Sequence, residues 1–297
     1  MIFSGVEELR DPFFVRKGDT FYLYGTGYDD HSRGNWEDTV WACYVNKIGK
    51  LDGKWEKTQE PVYVKPEGAV KNFWAPEVHE YKGAYYMIAT YFSSQTQHRG
   101  CTILKSDFPE GPFVEITNGH ITPKEWDAID GTLYVDPNGQ PWMVFVHEWT
   151  CTDDGVGRMA LAKLSHDLTH FISEPVELFR ATDPSWTDII VTDGCFLYTT
   201  QKGTLLMIWS NGSKEGYCVG IARSKSGKIA GPWEHDDERL FYRKNPEEMD
   251  GGHGMIFTHT DGQMYLVIHG PNRPTPTEQC SVYFLPIKEE NDTLTII

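Results

Sequence analysis

Hydrophobic and polar positions alternate along this chain in short runs that glycine turns interrupt, and no stretch keeps a helical period over three turns. Phe13–Val15 and Thr20–Tyr24 flank Lys17-Gly18, Tyr85–Ala89 follows Lys82-Gly83, and Leu205–Trp209 follows Lys202-Gly203. Glycine turns between β-rich runs predict hairpins. A third strand is predicted after each hairpin, at Val40–Val45, Cys101–Lys105, Met159–Leu164, Tyr217–Arg223 and Ser281–Pro286. Several of these lead through a polar turn to an aromatic that opens a fourth strand: Trp55, Phe113, Phe171 and Trp233.

The pattern recurs. Arg10-Asp11-Pro12, Ala75-Pro76-Glu77, Ile129-Asp130-Gly131, Thr192-Asp193-Gly194 and Gly252-His253-Gly254 each precede one of these glycine turns. Counted from Asp11 through Pro76, Asp130 and Asp193 to His253, the steps are 65, 54, 63 and 60 residues. Five copies of one four-stranded unit predict an all-β chain folded as a five-bladed β-propeller with antiparallel strands. The unit is longer than the roughly 40–50 residues usual for a blade. Loops at Tyr28–Asp38, Thr150–Gly157 and Asn272–Gln279 are expected to hold the excess. The expected division is one domain over 1–297, with blades near 10–70, 71–125, 126–185, 186–247 and 248–297 and no accessory β-sandwich. Each blade is expected to keep its own four strands, so that side-chain packing alone closes the ring. The regular step and the repeated aromatic disfavour a simple stack of hairpins.

Composition narrows the function classes. Hydrophobic residues at 39% and aromatics at 13% supply a core for 297 residues. A net charge of -16 argues against nucleic acid and against an anionic membrane, both of which need a basic face. Six dispersed cysteines (Cys43, Cys101, Cys151, Cys195, Cys218 and Cys280) show neither zinc spacing nor a close pair, and they favour a reducing, cytoplasmic setting. No apolar run is long enough for a membrane helix, and Met1–Gly5, with neither a basic start nor an apolar core, is not expected to begin a signal peptide.

In a propeller the first strand of each blade lines the central channel, so residues at one phase of those strands ring its mouth. Asp11, Asp130, Asp193 and His253 occupy that phase in the expected fold. Carboxylates crowded into one cavity repel, and at least one should keep its proton near neutral pH. A protonated acid beside an ionised one is what glycoside hydrolysis uses. The bland reading is that each aspartate caps its own turn.

Taken in order, Arg10-Asp11-Pro12, Asn72-Phe73-Trp74-Ala75-Pro76-Glu77, Ile129-Asp130-Gly131, Thr192-Asp193-Gly194 and Gly252-His253-Gly254 resemble glycoside hydrolase family 43 over essentially the whole chain. That family comprises five-bladed propellers that include β-xylosidases, α-L-arabinofuranosidases and arabinanases. The resemblance implies Asp11 as general base, Asp130 as the acid that orients and raises the general acid, and Asp193 as the general acid. Asp193 departs from the family's usual glutamate, being one methylene shorter. The proton could instead come from Glu148, in Val146-His147-Glu148-Trp149. Single-step inversion is implied, with base and acid roughly 6.5 to 9.5 Å apart. His253 is implied to lie near the channel axis beside a structural calcium or its waters. Calcium prefers oxygen ligands, so the alternative for His253 is a neutral imidazole bonded to backbone. Trp74 is expected to wall the sugar pocket, with Trp149 and Trp186 as weaker candidates and Glu77 as a residue that holds the loop.

Val135-Asp136-Pro137-Asn138-Gly139 has the look of a nucleophile motif of invertase-like propellers, but its phase makes it a hairpin turn. The expected activity is exo-acting release of terminal α-L-arabinofuranose or β-D-xylose from plant-type oligosaccharides. The alternatives are a sugar-binding propeller disabled by Asp193 and an interaction platform without sugar chemistry. Sugar identity, linkage and oligomeric state stay open at this level.

Overall fold

The computed structural model describes residues 1–28, 35–58, 62–274 and 279–297. The hairpins form, and each grows into an antiparallel sheet. After β1 (Ile2–Glu7), the first blade is β2 (Arg10–Lys17), β3 (Thr20–Gly27), β4 (Val40–Asn46) and β5 (Glu56–Lys57). The second is β6 (Ala69–Tyr81), β7 (Ala84–Ser93), β8 (Arg99–Ser106) and β9 (Val114–Glu115). The third is β10 (Ala128–Val135), β11 (Pro141–His147), β12 (Arg158–Lys163) and β13 (Val176–Arg180). The fourth is β14 (Asp193–Thr199), β15 (Leu205–Ser213), β16 (Gly216–Ser224) and β17 (Trp233–His235). The fifth is built on β18 (Gly252–Thr258), β19 (Met264–Gly270), β20 (Ser281–Glu290) and β21 (Thr293–Ile296). The inner strands β2, β6, β10, β14 and β18 touch one another in that cyclic order, which closes a five-bladed propeller.

Two expectations need correction. Ring closure does not rest on side chains alone. The N-terminal strand β1 pairs antiparallel with β20, Ile2 opposite Phe284 and Glu7 opposite Ser281, while β21 pairs with the later part of the same strand. Both chain ends therefore complete the fifth blade, and Ile2–Glu7 belongs with 248–297. Ser4 and Val6 turn inward, and the Ser4 hydroxyl donates to the Val282 carbonyl at 2.9 Å. Alternation this short beside a serine gave little sign of a strand. Phe171 does not open a fourth strand either: it makes one bridge to Leu164, and β13 begins at Val176. Of the loops expected to hold the excess length, Thr150–Gly157 is described, whereas residues 29–34 and 275–278 lie outside the described residues. Val135–Gly139 is a hairpin turn as expected, with the Gly139 amide donating to the Asp136 carbonyl.

The site is positioned by one recurring irregularity. Pairing shifts between Arg10 and Phe13, Trp74 and Glu77, Ile129 and Thr132, Asp193 and Phe196, and Gly252 and Met255. Each gap holds one residue with left-handed backbone: Asp11 (φ 53°), Ala75 (43°), Asp130 (54°), Gly194 (28°) and His253 (45°). A bulge of this kind re-aims side chains at the end of a strand. The true phase of the repeat is therefore Ala75 and Gly194, one residue before Pro76 and one after Asp193.

A bulged residue loses its ladder partner, and a buried amide without an acceptor is costly. Here each amide is taken by a side chain, four times from the second strand of the preceding blade. Asp11 N–H donates to His269 Nδ1 (3.1 Å), Ala75 to Thr26 Oγ1 (2.7 Å), Asp130 to Thr90 Oγ1 (3.1 Å) and His253 to Ser210 Oγ (2.8 Å). These acceptors hold one register position, each paired with the residue just before the bulge of its own blade. The third blade has Val146 there, which accepts nothing. The Gly194 amide donates instead to Asp130 Oδ2 at 3.0 Å.

Thr90→Val, nearly isosteric, should orphan the Asp130 amide and cost about 1–3 kcal/mol, the usual penalty for an unsatisfied buried donor. Urea denaturation checks this; an unchanged midpoint would show that these bonds contribute little.

Candidate active site

Asp11, Asp130 and His253 converge at the channel mouth because each sits on a bulge. They line one cavity of about 720 Å³ together with Asp193, Trp74, Glu148 and Trp149. The residues just before the bulges, Arg10, Trp74, Ile129 and Asp193, line it as well. Deeper along the same strands, Phe13 packs against Phe196 with ring centroids 6.2 Å apart, and Met255 is buried. Glu77 holds the same register position, so the layer beneath the cluster is partly apolar and partly charged.

The carboxyls are not equivalent. Burial pushes Asp11 up, but His253, whose Nδ1 stands 3.2 Å from Oδ1, together with Arg10 and a 2.6 Å hydrogen bond from the Thr26 hydroxyl outweigh it, and the group is held below the ordinary carboxylate value. His269 Nδ1 also stands 3.6 Å from Asp11 Oδ1, yet this is no ion pair. That nitrogen accepts the Asp11 amide hydrogen, and burial pulls the imidazole well below its ordinary value, so His269 is neutral. Asp130, 4% exposed, is pushed well above its ordinary value by burial and by the charge of Asp11, against the opposing Gly194 amide. Asp193 is raised to about 7 by burial and then by Asp130, while His253 and the Tyr217 hydroxyl pull the other way. One ionised and one protonated carboxyl thus face the same cavity near neutral pH.

Gly194 is required where it stands. Its φ of 28° is left-handed, and a Cβ there would come within 2.3 Å of the His253 ring. Its missing side chain is the space that the imidazole fills.

Glu148 lines the cavity but is occupied. Arg99 grips both its oxygens, Nε to Oε2 at 2.7 Å and Nη2 to Oε1 at 2.9 Å. Burial raises Glu148 above its ordinary value, against the two-pronged guanidinium clamp, which favours the ionised form. Trp74 walls the cavity as expected, its indole N–H donating to the Trp36 carbonyl at 2.9 Å. Trp186 does not line the cavity: it packs on Trp209 at 5.5 Å and fills the space over Gly220. Glu77 is not a loop brace. It lies inside the channel, 2.9 Å from His79 Nε2.

Sequence reasoning missed Arg10, Trp36, Tyr217 and Asn272. Arg10 lies 3.9 Å over the Trp36 ring and donates to the Asn272 carbonyl at 2.7 Å and to its side chain. Trp36 is 43% exposed, an open aromatic face at the cavity wall. An arginine beside Asp11 was the one available signal; the other three come from loops and an outer strand without a motif.

Calcium finds no ready cage. His253 Nδ1 is directed at Asp11 and, at 3.8 Å, at Asp130, and its ring lies on Gly194. Among the described residues no group of three or more His, Cys, Asp and Glu is arranged to hold a metal ion. Membrane insertion by helix finds no element either, since among the described residues no helix is long and apolar enough to cross.

A propeller whose channel mouth holds carboxyls in opposite protonation states has the groups that glycoside hydrolysis uses. The profile of glycosyl hydrolases family 43 matches residues 6–283, and the chain belongs to that family. It is 28% identical, over 88% of this chain and 78% of the other, to the extracellular exo-α-(1→5)-L-arabinofuranosidase of Cellvibrio japonicus. The structure of an endo-arabinase from Bacteroides thetaiotaomicron superposes with a TM-score of 0.82 at 32% identity, covering 98% of both chains. That of a thermostable family-43 glycoside hydrolase gives 0.85 at 19% identity, covering 100% of this chain and 96% of the other. The protein is a glycosidase.

Gly194→Ala should leave the fold intact but displace His253, lowering kcat/KM about 100-fold, the scale of a small misplacement in an active site. Circular dichroism and hydrolysis rates check it; full activity would mean the imidazole can move without consequence.

Proposed function

We propose that this glycosidase is an inverting, exo-acting enzyme that releases terminal α-L-arabinofuranose from arabino-oligosaccharides. The observation that carries the reading is the pair of unlike carboxyls, Asp11 held below the ordinary carboxylate value and Asp193 raised to about 7. Ionised Asp11 takes a proton from water as the water oxygen bonds to the anomeric carbon. The glycosidic C–O bond breaks on the opposite face, and the departing oxygen receives the Asp193 proton. Asp130 stays protonated beside them, and burial, the largest cause, keeps the proton affinity of Asp193 high. Exo action is favoured because the relative similar over 88% of this chain is named as an exo-acting arabinofuranosidase. A terminal sugar then sits at the bottom and its leaving group points outward. Arabinose is favoured over xylose because the relative similar over most of the chain and the neighbour at 32% identity are named for arabinan chemistry.

Activity needs Asp11 without a proton and Asp193 with one. kcat/KM is therefore expected to hold below neutrality, to fall as pH rises through about 7 with loss of the Asp193 proton, and to fall again only in acid below the ordinary carboxylate range. Asp11→Ala and Asp193→Ala should each lose about 10²–10⁴-fold in kcat on arabinotriose. Asp193→Ala should lose less on 4-nitrophenyl α-L-arabinofuranoside, whose leaving group needs little help. Arabinotriose should yield arabinose and arabinobiose from one end, and linear arabinan should yield monomer alone. A spread of internal fragments would make the enzyme endo-acting. Binding of arabinose with no turnover of any pentoside would favour the lectin-like reading.

A further inference from the structure

The aspartate proposed as the acid has a partner that neither the family resemblance nor the repeat accounts for. The Tyr217 hydroxyl, from the third strand of the fourth blade, donates to Asp193 Oδ2 at 2.9 Å. We propose that Tyr217 is the positioning residue of the acid: its phenol fixes the Asp193 carboxyl in one orientation and leaves Oδ1 as the oxygen that carries the proton into the cavity. The inference rests on the reading of Asp193 as the proton donor.

The geometry leaves the tyrosine little freedom. It is 6% exposed, its ring lies against His269 at 5.7 Å and 26°, and a Cβ on Gly252 would come within 2.7 Å of it. Its backbone is tied as well. The Tyr217 amide donates to Asp250 Oδ2 at 2.9 Å, and the Asn272 amide donates to the other oxygen of the same carboxylate at 2.9 Å. Asn272 in turn carries Arg10 and faces His269, the acceptor of the Asp11 amide. One frame thus holds the acid's partner and the base.

A glutamate can reach a glycosidic oxygen by bending its extra methylene. An aspartate has no such reach and must be aimed by what surrounds it. Around Asp193 stand Asp130 from β10, Asp11 from β2, His253 from β18 and Tyr217 from β16. Of these, the phenol is the group hydrogen-bonded to its carboxyl. Burial holds the phenol well above its ordinary value, so it remains a donor throughout the working range of the enzyme. A permanent donor on Oδ2 favours the ionised carboxyl, which tempers what burial and Asp130 do.

Tyr217→Phe keeps the ring in its niche and removes only this bond. The expected result is a fall in kcat of about 10–100-fold, typical of losing a group that orients a reacting residue, with KM little changed. The alkaline limb of the pH profile should move to higher pH, because the bond that eased proton loss is gone. The same shift should appear without substrate, in the ¹³C carboxyl titration of Asp193 in the free protein, with the signal assigned by its absence in Asp193→Asn. In an Asp193→Ala background Tyr217→Phe should cost nothing more. An Asp193 titration that does not move would overturn the proposal, as would an equal loss in the Asp193→Ala background. A wild-type protein that turns over no pentoside would overturn the hydrolytic reading instead, and the titration would still decide the role of Tyr217.

Discussion

The structure depends on how five bulged amides find acceptors. A left-handed residue other than glycine costs roughly 1–3 kcal/mol and persists only where its surroundings fix it. Four such residues and one glycine stand in a ring at the channel mouth. Each is fixed by a hydrogen bond that crosses from one blade to the next, so the strain of one inner strand is supported by its neighbour. The same bonds aim Asp11, Asp130 and His253 into one space. Fold closure and site construction are a single device, reinforced at the chain ends by the pairing of β1 with β20.

The exception in that ring accounts for much of the electrostatics. Thr26, Thr90, Ser210 and His269 each offer an acceptor, and Val146 offers none. Asp130 must then use a carboxylate oxygen on the Gly194 amide, which places it deep beside Asp11. Burial and that neighbour outweigh the amide, so Asp130 keeps its proton, while Asp193 is raised above all by its own burial. Asp11 has the opposite surroundings: Thr26 donates to it, His253 faces it and Arg10 is adjacent. His269 stays neutral because its lone pair is already committed to an amide. The difference between a would-be base and a would-be acid comes from what surrounds each buried carboxyl.

Much of this was legible in the sequence. The blade count, the inner strands and the convergence of Asp11, Asp130, Asp193 and His253 all follow from glycine turns and the sixty-residue step. The phase was misjudged at Pro76 and Asp193, because a bulge leaves no mark on hydrophobic alternation. Thr-Asp-Gly reads as an aspartate in register when it is the glycine that takes the bulge. The β1 closure was hidden by the brevity of its alternation. Trp36, Tyr217 and Asn272 were hidden because loop and outer-strand residues acquire meaning only when three blades meet. Trp186 was misplaced for the converse reason: a tryptophan near the channel in sequence packs against the next tryptophan in space.

The register also changes what the short acid means. Compared with Asp11 and Asp130 as an equivalent position, Asp193 would look like a group too deep and too short to reach a leaving oxygen. It occupies the preceding position, shared with Arg10, Trp74 and Ile129. Gly194 completes the arrangement by leaving the bulge itself empty of side chain, so that His253 fills the floor and the acid keeps the wall. In the proposed reading a shorter acid at this position works provided something fixes its orientation, and the buried phenol of Tyr217 is the group placed to do so.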